Sequence, residues 1–337
     1  MFQTLAKAAA TRRWGRPVVA VGVALLAAVA DASTPANLQL KDNLYGAKFI
    51  DARQGWVVGA FGVIARTGDG GDTWQMQPSK TTQQLYDIDF VDGKQGWAVG
   101  RQGLILHTSN GGTTWEPQTS GTDQHLFSVD FVDNQLGVAV GDFGTILVTK
   151  DGGAHWESRT LEQDVILYDV AMLDATHGWI AGEMGTILNT TDGGATWAKK
   201  DSGIQKTLFG VYFADAQHGW VVGIDALILH TSDGGQTWKV QNGTSEMREL
   251  EQVGFGQAYD NPSLYSISVV GDLGVVAGEI GAIYLSTDGG QTWVRQQSDK
   301  ASGPKWLRAV SMVPGKNGAI VGADGARVLV VDGQLKQ

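Results

Sequence analysis

The sequence predicts an all-β fold, a seven-bladed β-propeller of four-stranded antiparallel blades, on three observations. An eight-residue box ending in tryptophan recurs six times, a glycine-bounded pentapeptide recurs seven times, and an alternating apolar stretch precedes each pentapeptide. A fixed period near 40 residues, built from short strands, is the pattern of a propeller.

The boxes are TGDGGDTW (67–74), TSNGGTTW (108–115), TKDGGAHW (149–156), TTDGGATW (190–197), TSDGGQTW (231–238) and STDGGQTW (286–293). Their tryptophans are spaced by 41 residues four times and then by 55. The acid of each box (Asp69, Asp151, Asp192, Asp233 and Asp288, with Asn110 in the second copy) is expected to accept hydrogen bonds from amides two to four residues on. Glycine in the next positions takes the positive φ that a tight hairpin needs. The box resembles the Asp box, S/T-x-D-x-G-x-T-W, which lies away from the active site in sialidases and other propellers. Six equivalent catalytic sites on one chain would be odd, so these residues read as architecture.

Each unit supplies four strands. LYDIDFVD exemplifies the first, GWAVG the second and LILHT the third, while the fourth starts at the box tryptophan. Period-2 alternation with β-branched and aromatic enrichment argues for strands. Ten of the twelve tryptophans lie in the boxes or the pentapeptides; they read as repeat packing and not as a sugar-stacking platform. The seventh unit ends at Gln337 without a box tryptophan. Residues 36–40 stand where a fourth strand would precede the first blade, so an N-terminal strand is expected to complete the last blade and close the ring.

Composition agrees with a folded, turn-rich chain: 42% apolar residues, 18% charged, 47 glycines and 7 prolines in 337 residues. Lys7, Arg12, Arg13 and Arg16 precede an apolar run over 18–30 that is too short for a membrane span, and a small-x-small site follows. Residues 1–32 therefore read as a signal peptide and 33–337 as the propeller. The Arg12-Arg13 pair leaves both Sec and twin-arginine export open. Without residues 1–32 the chain keeps 21 Lys+Arg against 34 Asp+Glu, a net charge of about −13, so neither nucleic acid nor direct membrane insertion is expected. There is no cysteine, hence no disulfide or thiol chemistry.

Loops between strands alternate between two faces. The turns after the second strands share a face with the connections between blades, and the boxes lie opposite. Those turns carry Phe61, Arg101, Asp142, Phe143, Glu183, Met184, Glu279 and Asp324. One reading makes them a partner-binding face, with Phe61, Phe143 and Met184 as apolar anchors and the acids as rim. The other folds them inward over the channel mouth. The extra length between blades five and six, within 239–263, is expected on the same face as a helical insertion, with a short helix over 245–254.

No metal or cofactor site is expected. The histidine pairs 177/218 and 107/230 fall on different blades, and no P-loop, nucleophile elbow or dinucleotide fingerprint is present. The catalytic alternative is a sialidase-like glycoside hydrolase, which needs an arginine cluster. Only Arg308 falls on an innermost strand.

The combination of G-W-x-V-G, an Ile/Leu-rich strand and T-x-D-G-G-x-T-W closely resembles the photosystem II stability/assembly factor family over residues 44–333. The resemblance implies an exported, non-catalytic seven-bladed propeller. Members hold reaction-centre protein precursors during assembly, in a lumen equivalent to a periplasm. It further implies a protein client, a membrane protein or envelope complex, bound by a monomer. The family's binding region is rich in arginine, whereas only Arg101 is basic among the turn residues here.

Overall fold

In the computed structural model, the described residues are 40–243, 261–296 and 305–336. The expected signal peptide and the expected short helix over 245–254 fall outside them. Seven four-stranded antiparallel sheets follow one another along the chain, each made of four consecutive strands. In blade two these are Leu85–Phe90, Gly96–Gly100, Ile105–Thr108 and Glu116–Gln118. Lys239–Asn242, placed by the sequence in the insertion, is instead the fourth strand of blade five.

Tryptophans glue one blade to the next. Trp97, on the second strand of blade two, stacks on Phe131 of blade three at 3.5 Å, and Trp156 meets Phe131 edge-on at 5.8 Å. The same sandwich recurs as Trp56–Phe90–Trp115 and Trp179–Phe213–Trp238. Three of the four pentapeptide tryptophans also donate to the boxes of the following blades, while Trp179 Nε1 is buried without a partner. Trp97 Nε1 reaches the Gly152 carbonyl at 3.1 Å and Trp220 Nε1 the Gly290 carbonyl at 3.0 Å. Packing of this kind joins sheets in proportion to the apolar area removed from water.

The boxes are closed hydrogen-bonded hairpins. Thr190 Oγ1 donates to Asp192 Oδ1 at 2.8 Å, and the Gly194 amide returns to Thr190 Oγ1 at 2.9 Å. Asp192 further accepts from the Thr196 amide at 2.9 Å and from the Thr196 hydroxyl at 2.7 Å. Asn110 reproduces the arrangement as an amide, accepting from the Thr114 amide and donating to its hydroxyl, each at 2.9 Å. The other boxes repeat it at Asp69, Asp151, Asp233 and Asp288. Asp192→Ala is therefore expected to lower the midpoint of denaturant unfolding. Asp192→Asn should recover most of that, because Asn110 already does the same work; equal losses would show that the hydrogen bonds are not what matters.

The ring closes differently from the sequence expectation. The last blade takes its fourth strand from the C-terminus: Arg327–Val331 pairs with Gln334–Lys336. A two-residue Asp332-Gly333 turn, with φ of 50° and 78°, stands where other blades have a box. Both central residues at positive φ make the type I′ turn that suits strand twist. Of the N-terminal segment expected as a strand, residues 36–39 lie outside the described residues and Leu40 is not in a strand. The Leu40 carbonyl sits against Gly325 so closely that a Cβ there would meet it, as the Thr122 carbonyl sits against Gly103. The segment from Leu40 thus occupies the place of an interblade connection. Across the junction the Phe49 amide donates to Ser311 Oγ at 2.8 Å, and Leu40, Leu44, Val313 and Val321 share one core.

Candidate functional site

The turns after the second strands do share a face with the interblade connections. The Arg101 amide donates to the Gln84 carbonyl, and the Asp142 amide to that of His125. The boxes bond instead to the loops between first and second strands, as in Gly111 N to Lys94 O. Within each three-residue turn the middle position is left-handed: Phe61, Gln102, Phe143, Met184, Asp225, Ile280 and Asp324 have φ between 51° and 59°. A side chain there crowds its own backbone and costs about 1–2 kcal/mol, which glycine or asparagine would avoid. Phe61, Phe143 and Met184 are 72%, 56% and 62% exposed. They face solvent.

The charged turn residues are differently placed. Arg101 and Asp324 are exposed, and the Asp324 carboxylate lies 3.9 Å from Lys305. Glu279 is half-buried and accepts from the Tyr265 hydroxyl at 2.9 Å and the Ser263 amide at 3.1 Å. Glu183 accepts from the Ile166 amide at 3.2 Å. Asp142 lies 4.0 Å from His125 Nδ1, which accepts from the Gln102 amide at 3.2 Å. Burial pushes the Asp142 carboxyl up.

At the centre of this face lies a feature the sequence reading missed. The second residue of each first strand is aromatic in six blades: Tyr45, Tyr86, Phe127, Tyr168, Phe209 and Tyr265. Consecutive ring centroids stand 4.9–5.8 Å apart, so the six form a continuous girdle. In blade seven the position is Arg308, whose guanidinium lies 4.7 Å over the Tyr265 ring. Tyr45 stacks on Trp306 at 5.7 Å and completes the circle.

A β-bulge puts these side chains there. In every blade the register slips between the first and third residues of the first strand, as at Leu85/Asp87 and Leu126. Leu85, Ile88 and Phe90 consequently pack into one interblade core, although 85 and 88 are an odd number apart. The bulge resets the alternation and leaves the extra residue to line the mouth. Simple period-2 reading assigns that residue to the core; its only signal was the recurrence of Tyr or Phe at one repeat position.

Below the girdle the channel, about 560 Å³, is lined by acids and hydroxyls. These side chains also staple the ring. Asp87, Asp89, Asp130 and Asp169 accept from the amides of Val129, Phe131, Met172 and Val211, each on the following blade, at 2.6–3.0 Å. Lys48 pairs with Asp89. Ser128 Oγ lies 3.1 Å from Asp87 Oδ2 and 2.9 Å from Asp169 Oδ1. One hydroxyl has one hydrogen, so the second contact needs a proton on a carboxyl. Burial pushes Asp87 to about 7 and Asp169 to about 6, and raises Asp130 together with the Asp89 charge.

Arg308 is the one arginine on an innermost strand. Among the described residues no group of His, Cys, Asp or Glu side chains could hold a metal ion.

A family model described as photosynthesis system II assembly factor YCF48 matches residues 27–119, 115–166, 160–240 and 200–326. Among solved structures, one described as YCF48 bound to D1 peptide is similar with a TM-score of 0.69 and 21% identity, covering 88% of this chain and 97% of that one. YCF48 from Cyanidioschyzon merolae gives 0.67 and 19%, covering 88% and 98%. The GH74 xyloglucanase from Xanthomonas campestris gives 0.67 and 13%, covering 88% of this chain and 53% of that one. No curated protein matches. At these identities the structural likeness speaks for the fold alone.

Proposed function

Because the chain belongs to the photosynthesis system II assembly factor YCF48 family, we propose that it is an exported, non-catalytic propeller that holds a membrane-protein client or envelope complex during assembly. The reading places it in the periplasm, or the equivalent lumen of a phototroph, as a monomer. The observation that carries it is the set of bulky apolar side chains kept at left-handed, solvent-facing turn positions. Phe61, Phe143 and Met184 spend backbone energy to stay exposed, and such outliers concentrate where a surface must meet a partner. The similar propeller that is bound to D1 peptide supports a polypeptide as the client. A glycoside hydrolase reading needs an arginine cluster, and among the described residues Arg308 is the one arginine on an innermost strand.

Replacing both Phe143 and Met184 with asparagine separates binding from folding. The double variant is expected to melt at the same temperature or slightly higher, since each site sheds up to about 1–2 kcal/mol of left-handed backbone strain. Its crosslinking to envelope proteins in the native host should fall at least about ten-fold, a loss of about 1.4 kcal/mol. Undiminished crosslinking to the same client would remove this face from the reading. Turnover of fluorogenic sialosides or xyloglucan fragments should stay at background; activity on either would replace the scaffold with an enzyme.

A further inference from the structure

The girdle differs from one side to the other. Around blades two to four, Tyr86, Phe127 and Tyr168 stand in contact, with Asp87 and Asp169 next to them in the chain on the channel side. Asp142 and Glu183 occupy the turns above. Phe143 and Met184 project from the same two turns. Of the cations on innermost strands, Lys48 is held against Asp89, while Arg308 lies over Tyr265 and its charge also reaches Tyr168, Asp87 and Asp169. Arg308 also shows that a guanidinium rests comfortably on a girdle ring.

We propose that this side of the mouth receives a basic side chain, lysine or arginine, from an extended client segment whose neighbouring apolar residues lie on Phe143 and Met184. The inference rests on the client-binding reading and names the chemistry of the bound segment. Electron-rich ring faces attract a cation, more so where water is partly excluded. The carboxyls on either side of Ser128 supply the complementary charge. A bound ammonium or guanidinium replaces the proton they share, so uptake of the cation releases a proton. Asp89 and Asp130 lower in the channel add negative charge, while Lys48 and Arg308 across it limit the site to one cation. An acidic segment would be repelled by Asp142, Glu183, Asp87 and Asp169, which outnumber the two cations on this side, Arg101 near Tyr86 and Arg308.

The test uses fluorescein-labelled twelve-residue peptides of leucine and valine with one central residue: arginine, its neutral isostere citrulline, or glutamate. Binding to the purified protein is followed by fluorescence anisotropy at pH 5.5 and pH 8. The arginine peptide is expected to bind about ten-fold tighter than the citrulline peptide at pH 8, with a smaller advantage at pH 5.5, where the carboxyls hold their protons. Asp87→Asn with Asp169→Asn should abolish both the preference and its pH dependence. Tyr168→Leu, which leaves the carboxyls in place, should weaken the preference on its own and serves if the double variant does not fold. Equal affinity for arginine and citrulline, or preference for glutamate, overturns this inference and leaves the client-binding reading standing. Binding of none of the peptides by folded protein overturns both.

Discussion

Trp97→Ala is expected to destabilise the propeller by about 3–5 kcal/mol, which for a chain this long lowers Tm by about 6–10 °C. Trp97 is fully buried, with Phe131 against one face and His107 stacked at 4.9 Å. Its removal strips two blades of a shared surface and leaves a cavity that backbone strands on both sides cannot collapse to fill. The lost indole bond adds little, because Gln118 Nε2 still donates to the Gly152 carbonyl at 2.8 Å. Val294→Ala, at a strand position 63% exposed, is the control and should stay within about 0.5 kcal/mol. A Trp97 variant as stable as that control would mean that the interblade sandwiches do not hold the ring.

Stability is expected to fall by about 3–6 kcal/mol as pH rises from about 4 to 9. Asp87 and Asp169 titrate near 7 and 6 in the folded channel because burial disfavours their charge, and Asp130 is raised with them. In the unfolded chain all three return to about 4. A carboxyl whose folded value is raised binds its proton more tightly when folded, so the benefit is complete near pH 4 and is lost as pH climbs through 6 to 8. Below pH 4 the box carboxylates act oppositely. Hydrogen bonds from Thr196 and Thr237 hold Asp192 and Asp233 down to about 2, and that contribution disappears as pH falls from 4 towards 2. The melting temperature should therefore peak near pH 4–5. Asp87→Asn with Asp169→Asn should flatten the alkaline limb; a Tm that climbs between pH 5 and 8 would contradict the channel assignment.

The repeat made the blades legible because each carries its own punctuation: a box, a pentapeptide and a fixed distance between them. Blade number, the structural role of the box acids and the common face of the inner turns all followed from it. Closure did not, since the Asp332-Gly333 hairpin has no tryptophan to announce it and the seventh blade looked truncated. The girdle escaped for a different reason. Tyr86 and Phe127 sit at bulges, and a bulge is set by how a strand meets its partner across the sheet. Acids such as Asp87 and Asp130 read as the polar face of a half-buried strand. Only the ring geometry turns seven such strands toward one another and makes that face a channel wall.

The short turns that carry Phe143 and its counterparts have one more consequence. Backbone bonds between Thr145 N and Asp142 O and between Gly141 N and Thr145 O, both 3.0 Å, fix the main chain before anything arrives. Engagement then freezes only rotamers, at about 0.5–1.5 kcal/mol per side chain, with no loop left to organise. A grip made this way can be weak and quickly reversed yet still discriminating, as the proposed assembly role requires.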